Sequence, residues 1–252
     1  MPRPPLLIDS PANPRFKSWE SLLEGKGIRK AGQFLLAGLK TVPEALTRWP
    51  DRFQAILVPR LEWIEGWPLP DSIQPVQLAP ELFRVLDVSG TNYPLLLGTV
   101  PSMPVADLKQ PPRGLEVVCA LGDPANLGAL LRSAAGFGAG AVVLLEESAN
   151  PFHPKCLRAA ANAVFSLEIR RGPRWSGLAG AAGPLVALDA GGEDLSRFDW
   201  PHDVRVVLGE EGQGVPPDLA AHRLTIPMTE AVESLNATVA ASVALYAWYL
   251  RA

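Results

Sequence analysis

Apolar positions along the 252-residue chain follow two different patterns. From Phe16 to Trp49 they recur at helical spacing with short interruptions, and Gln54-Ala-Ile-Leu-Val58 then reads as a buried strand. A second apolar run, Leu95-Leu-Leu-Gly-Thr-Val100, follows the small polar stretch Ser89-Gly-Thr-Asn-Tyr-Pro94. Together they predict a small α/β unit over residues 1–100. Four prolines, Pro101, Pro104, Pro111 and Pro112, interrupt residues 101–113, and each restricts itself and its predecessor, so an extended linker is expected there.

After Gly114 short β-rich runs alternate with helical ones. Strands are predicted at Glu116–Leu121, Ala141–Leu145, Leu185–Asp189, Val204–Gly209 and Arg223–Pro227, and helices from about Leu127, from about Pro154 and from about Asn236 to Leu250. Such alternation predicts a second domain over residues 114–252, built on a mostly parallel sheet covered on both faces. In sheets of this kind ligands collect where strands end and loops lead into helices. Three loops there are informative.

Composition narrows the class. Hydrophobic residues make up 48% and charged residues 19%, against a usual charged share of about 25%, which marks a packed chain and not a disordered one. Cys119 and Cys156 show no Cys-x-x-Cys and have no His at ligand spacing, so neither a metal site nor a disulfide is expected, and a reduced, cytoplasmic setting fits. Leu6-Leu7-Ile8 is too short for a secretory core, and Val239 to Leu250 falls short of the roughly 20 residues of a bilayer span, so no membrane role is expected.

Charge is unevenly spread: residues 1–60 carry a net of +5 and residues 61–252 a net of −8. Arg15, Lys17, Lys26, Arg29, Lys30 and Lys40 would suit contacts to phosphate, the sequence-independent part of nucleic-acid affinity. A solvated polar face would carry the same charges.

The first loop opens Leu121-Gly-Asp-Pro-Ala-Asn-Leu-Gly-Ala-Leu-Leu-Arg-Ser-Ala-Ala135, where Asn126 can cap a helix. Arg132 follows on its first turns, where a guanidinium opposes the helix dipole, so a phosphate or carboxylate partner would explain it. An arginine lying over apolar neighbours would look the same. The second is Val206-Val-Leu-Gly-Glu-Glu-Gly-Gln-Gly-Val-Pro-Pro-Asp218, whose glycines allow close approach of the backbone to a ligand. Glu210 and Glu211 argue against a phosphate cradle, and neither a Walker motif nor Gly-x-Gly-x-x-Gly occurs. A cofactor with a positive centre suits this loop better than ATP or NAD, although a glycine-rich turn with solvated carboxylates has the same composition. The third runs from Leu224-Thr-Ile-Pro-Met228 to Val232-Glu-Ser-Leu-Asn-Ala-Thr-Val-Ala-Ala241, with two good caps, Ser234 and Asn236, before a helix apolar on nearly every side. Such a helix should be buried or lie at a subunit interface.

In this order these loops resemble the three signature motifs of the SpoU (TrmH-type) RNA 2'-O-ribose methyltransferases, within the SPOUT superfamily. Asn126-Leu-Gly-Ala-Leu-Leu-Arg-Ser-Ala134 is similar to the first, Leu208-Gly-Glu-Glu-Gly-Gln-Gly214 to the second and Ser234-Leu-Asn-Ala-Thr-Val-Ala-Ala241 to the third. Asn13-Pro-Arg-Phe-Lys17, Gly32-Gln-Phe-Leu-Leu-Ala-Gly38 and Ser89-Gly-Thr91 resemble, less specifically, the small ribosomal-protein-like substrate-binding domain that precedes many SpoU catalytic domains.

The resemblance implies an α/β fold whose carboxyl-terminal sheet forms a deep trefoil knot, a homodimer through the carboxyl-terminal domain, and S-adenosylmethionine as cofactor. Carried over by position, the cofactor pocket would use Ala187, Leu188, Gly209, Ile226, Met228 and Leu235. Arg132 matches the family's arginine for the RNA phosphate and the ribose hydroxyl. Since a free guanidinium is a poor base near neutrality, Arg132 is expected to hold the phosphate and the developing alkoxide. Asn126, Glu211, Ser234 and Asn236 would order the loops and the nucleotide, and Arg15, Lys17, Arg29 and Lys30 would bind RNA. The extra amino-terminal domain favours ribosomal over transfer RNA, by analogy.

Three departures from the family pattern stand out. Ala125 replaces a frequent Gly, Arg158-Ala-Ala-Ala-Asn-Ala163 replaces Arg-Ala-Ser-x-Gly-Ala, and Ala247 stands near the usual place of a glutamate. The alternative function is a catalytically inactive knotted RNA-binding protein acting in RNA folding or ribosome assembly.

Overall fold

The computed structural model describes residues 4–209, 214–219 and 222–251, without the side chain of residue 190. The chain divides into two compact units: residues 1–102 with 150–162, and residues 103–149 with 163–252.

In the first unit the elements are β1 (Leu6–Ile8), α1 (Pro14–Glu20), α2 (Gly25–Ala31), β2 (Gln33–Leu36), α3 (Thr41–Arg48), β3 (Phe53–Val58), β4 (Gln74–Leu78), α4 (Pro80–Leu86) and β5 (Leu95–Thr99). Their sheet has the order β1-β4-β3-β5-β2. β1 and β3 run parallel to β4, while β5 pairs antiparallel with β3 and β2. Phe34 of β2 needs the bare Cα of Gly98: a Cβ there would lie 2.3 Å from its ring. The same ring packs 5.1 Å from Phe152 and 6.1 Å from Phe53, centre to centre.

Phe152 belongs to the later segment that joins this unit and holds helix α6 (Pro154–Ala160). The segment ends with Ala161 and Asn162 in the left-handed region, at φ 46° and 68°. Asn is the side chain that best tolerates that conformation after Gly, which explains physically how Asn162 occupies a glycine's place. Its Nδ2 also donates to the Thr41 carbonyl at 2.9 Å and to Oε2 of Glu44 at 3.0 Å. Arg48 first, and Asn162 second, hold the Glu44 carboxyl below its ordinary range.

The second unit contains β6 (Leu115–Cys119), α5 (Pro124–Gly136), β7 (Ala141–Leu144), β8 (Glu168–Arg171), β9 (Leu185–Asp194), β10 (Val204–Leu208), β11 (His222–Thr225) and α7 (Ala237–Tyr249). The sheet order is β11-β9-β10-β6-β7-β8, with every pairing parallel among the described residues. Val117, Val118, Val142, Val143, Val186, Val206 and Val207 are buried, as expected for strands covered on both faces.

Two charged residues lie inside this sheet. Arg205 of β10 stands opposite Glu116 of β6 and donates to its Oε2 at 2.8 Å, with further bonds to the carbonyls of Ala182 and Gln110. Arg170 of β8 donates to the other oxygen of Glu116 at 3.2 Å. Every charge is paired, which is the condition for tolerating it there.

The stretch 101–113 is not a bare connection. From Met103 onward it belongs to the second unit. Arg171 donates from its backbone to the Pro104 carbonyl at 2.8 Å, Ala106 donates to that of Arg171 at 2.9 Å, and Leu108 is buried.

Candidate active site

α5 begins earlier than its apolar periodicity suggests. Pro124, with its fixed φ and missing N–H, occupies the first turn, and Asp123 is the cap: its Oδ1 accepts from the amides of Ala125 at 2.9 Å and Asn126 at 2.8 Å. Capping by Asn126 is therefore corrected, because the proline moves the helix start three residues upstream. That leaves the Asn126 side chain for another partner. Ala125 is exposed, so its methyl group, where a glycine is frequent, meets no packed neighbour.

α7 is capped by Asn236, whose Oδ1 accepts from Thr238 at 2.9 Å and from Val239 at 3.3 Å. Its Nδ2 donates to Oδ1 of Asn126 at 3.1 Å. Thr238 donates through Oγ1 to the Asn126 carbonyl at 3.0 Å, and further along the Ser133 and Ser242 hydroxyls are 2.7 Å apart. The first and third predicted loops therefore meet at the starts of two packed helices. Arg132 stands six residues beyond Asn126 on α5, about 9 Å along the axis at 1.5 Å per residue. It is exposed, with no ion-pair partner among the described residues.

Where β10 and β11 end, beside Leu188 and Asp189 of β9, a cleft of about 720 Å³ opens, within the usual range for small-molecule sites. Leu188, Leu208, Val215, Leu224, Ile226 and Leu235 give it apolar walls, and Gly209, Ser234 and Asn236 also line it. A Cβ on Gly209 would lie 2.1 Å from the Gly214 backbone, so only glycine permits the second loop to close on itself there. The charged side chains lining the cleft are Asp189 and Glu233, and among the described residues no lysine or arginine lines it.

Of the predicted cofactor residues, Leu188, Gly209, Ile226, Met228 and Leu235 line this cleft, together with Ser234 and Asn236. Ala187 is fully buried in the sheet core, one residue before the cleft. Asn126 reaches the cleft's rim through Asn236. Glu211 lies outside the described residues, as do Glu210, Gly212 and Gln213. Arg15 and Lys17 on α1, and Arg29 and Lys30 on α2, are exposed in the first unit.

Asp189, Thr225 and Glu233 also line the cleft, and no residue pattern singled them out. Asp189 ends a predicted strand, and that position was the available signal. Cys119, just before the first loop, is fully buried, and burial pushes its thiol up to about 11, so it is no nucleophile near neutrality. No group of side chains able to hold a metal ion occurs among the described residues, and no helix there is long and apolar enough to cross a membrane.

Residues 115–246 match the model of the SpoU rRNA Methylase family. The chain belongs to that family. Among SpoU relatives, the 23S rRNA (guanosine(2553)-2'-O)-methyltransferase RlmP of Bacillus subtilis is 31% identical over 246 residues, 95% of this chain and 97% of its own. A ribosomal RNA small subunit methyltransferase G 2 of Syntrophobacter fumaroxidans is 41% identical over 242 residues, 96% of this chain. The match covers 48% of that protein, so this chain spans about half its length. In fold, the chain is similar to the AdoMet-bound rRNA methyltransferase of Sinorhizobium meliloti, with a TM-score of 0.79 over 97% of each chain at 22% identity. Among the described residues, the segments that resemble SpoU motifs lie around the cleft, at Leu208, Gly209, Gly214 and residues 234–237, and at the starts of α5 and α7.

Proposed function

We propose that this SpoU protein transfers a methyl group from S-adenosylmethionine to a ribose 2'-hydroxyl in RNA, with ribosomal RNA preferred over transfer RNA. The observation that carries this is that segments of the second and third motifs line one cleft, with the first joined to its edge by the Asn126–Asn236 hydrogen bond. The names of the relatives support it: RlmP is a ribose methyltransferase acting on 23S rRNA.

The residues present fit the cofactor. Apolar walls suit an adenosine and a thioether chain, and a lining without lysine or arginine among the described residues suits a sulfonium. Leu188, Gly209, Ile226, Met228 and Leu235 would hold it. Once bound, it supplies an electrophilic methyl group. The protein's part is to bring a ribose oxygen into line, and such positioning is worth several kcal/mol. Arg132, exposed on α5, grips the RNA phosphate and steadies negative charge growing on the 2'-oxygen. Asn126 and Asn236 tie the starts of α5 and α7 together, and Ser234 and Glu211 complete the ordering of the loops.

The remaining assignments belong to the same proposal. Arg15, Lys17, Arg29 and Lys30 make the first unit the RNA-binding part. Val239, Val243, Tyr246, Tyr249 and Leu250 leave an exposed apolar stripe on and just after α7, which supports a homodimer through the second unit. The register of β11 against β9 jumps from Arg223↔Ala187 to Leu224↔Glu193, so residues 188–192 loop out of the ladder. A trefoil knot, with the chain after β11 passing beneath such a loop, accounts for that jump.

Incubating the protein with ribosomal RNA and isotope-labelled S-adenosylmethionine, then mapping ribose methylation, tests the function. Label at a 2'-oxygen is expected. RNA binding without transfer would favour the inactive RNA-binding alternative.

A further inference from the structure

Asp189 lines the cleft, yet both its oxygens are engaged within the protein. Oδ1 accepts from the Gly191 amide at 3.1 Å, and Oδ2 accepts from the Arg223 guanidinium. The same guanidinium extends a second nitrogen to the carbonyls of Val215, at 3.2 Å, and Pro216. Arg223 sits on β11, directly before the cleft-lining residues Leu224, Thr225 and Ile226. Its backbone is pressed against Gly192, where a Cβ would lie 2.4 Å from the Arg223 carbonyl carbon. One side chain therefore ties together three wall segments: β9 at Asp189, residues 214–216, and β11.

We propose that Arg223 is a positioning residue for the cofactor, a clasp that fixes the width of the cleft without contacting the reacting atoms. It rests on the functional reading above. A planar guanidinium can satisfy a carboxylate and two carbonyls in one geometry, which neither lysine nor glutamine can reproduce. With the clasp intact the three wall segments are held ready before the ligand arrives. Without it, binding must order them, and that ordering cost falls on affinity.

The full-length chain and two variants, Arg223→Gln and Asp189→Asn, test this by calorimetric titration with S-adenosylmethionine, steady-state kinetics and hydrogen exchange. Each variant is expected to weaken cofactor binding by about tenfold, the equivalent of one hydrogen bond to a charged group. KM for the cofactor should rise by a similar factor while kcat at saturation stays close to wild type. Wild-type affinity in both variants, or a fall in kcat at unchanged KM, overturns the clasp. Exchange at Gly191 and Val215 needs no cofactor: it should quicken in Arg223→Gln relative to Val117 and Val118 of β6. Equal exchange also overturns the clasp. Failure of the wild-type chain to bind S-adenosylmethionine would overturn the proposed function instead, while the exchange result still decides the clasp. Should Arg223→Gln not fold, Asp189→Asn, nearly equal in shape, carries the same measurements.

Discussion

Asn236 donates through Nδ2 to Oδ1 of Asn126 across 3.1 Å, joining the starts of two helices whose caps lie far apart in the chain. The Asn236 amide is divided between two tasks, since its own Oδ1 caps α7 through Thr238 and Val239.

That division makes the two tasks separable. Asn236→Asp keeps an oxygen for the cap and removes the donor, so melting should change little while methyl transfer falls. Asn236→Ala removes both and should cost about 1 kcal/mol of stability in addition, the usual value for a lost cap. Thermal melts beside methyl-transfer assays decide it. Full activity in Asn236→Asp would show that the link to Asn126 is dispensable.

Arg132 is exposed, so its replacement removes chemistry without removing packing. Arg132→Ala should leave the melting temperature and S-adenosylmethionine affinity unchanged and lower transfer by about a hundredfold or more, the scale for losing a donor aimed at developing charge. Arg132→Lys should recover only part, because a point charge does not reproduce forked contact with phosphate. Undiminished turnover by Arg132→Ala would remove this residue from the mechanism.

Cys119 links stability to alkaline pH. Burial raises its thiol from 9.0 to about 11. The folded chain thus holds this proton more tightly than the unfolded chain. The resulting stability is complete below pH 9.0 and drains away as pH rises towards about 11. Two pH units correspond to about 2–3 kcal/mol. Denaturation at pH 8 and pH 10.5 should show that slope in the wild type and a shallower one in Cys119→Ala. Identical slopes would mean that other groups govern the alkaline limb.

Asn162 carries a conformational and a bonding role, which two substitutions separate. Asn162→Gly keeps the left-handed backbone and loses the bonds to Thr41 and Glu44, for an expected loss of about 1–2 kcal/mol. Asn162→Ala loses the same bonds and must also hold φ at 68°, adding about 1 kcal/mol. Chemical denaturation ranks them, and a glycine variant less stable than the alanine variant would contradict the left-handed assignment.

Strands with long apolar runs were legible in the sequence. β3, β5, β6, β7, β9 and β10 start within a residue of the predicted positions, because burial on both faces writes itself as unbroken Val, Ile and Leu. β2 was hidden within a stretch taken as helical, since the three apolar residues Phe34, Leu35 and Leu36 fit either period. β8 has one buried residue, Ile169, and only its pairing with β7 defines it. The motif segments of the cleft were visible as loops, and their resemblance to a known family supplied the roles. Asp189 and Arg223 could not be related in advance, because their meeting depends on the register of β11 against β9 and on a turn 214–216 that no local pattern places.

Among the described residues, every one that lines the cleft lies beyond Ala187, and β6 finds its partner β10 only after Asp203. Parallel neighbours so distant in sequence cannot zip up locally, which makes their assembly slow. During synthesis the ribosome must therefore deliver the chain as far as Ala240 before the cleft can exist. A premature stop upstream of Ser234 would leave strands awaiting a wall that never arrives.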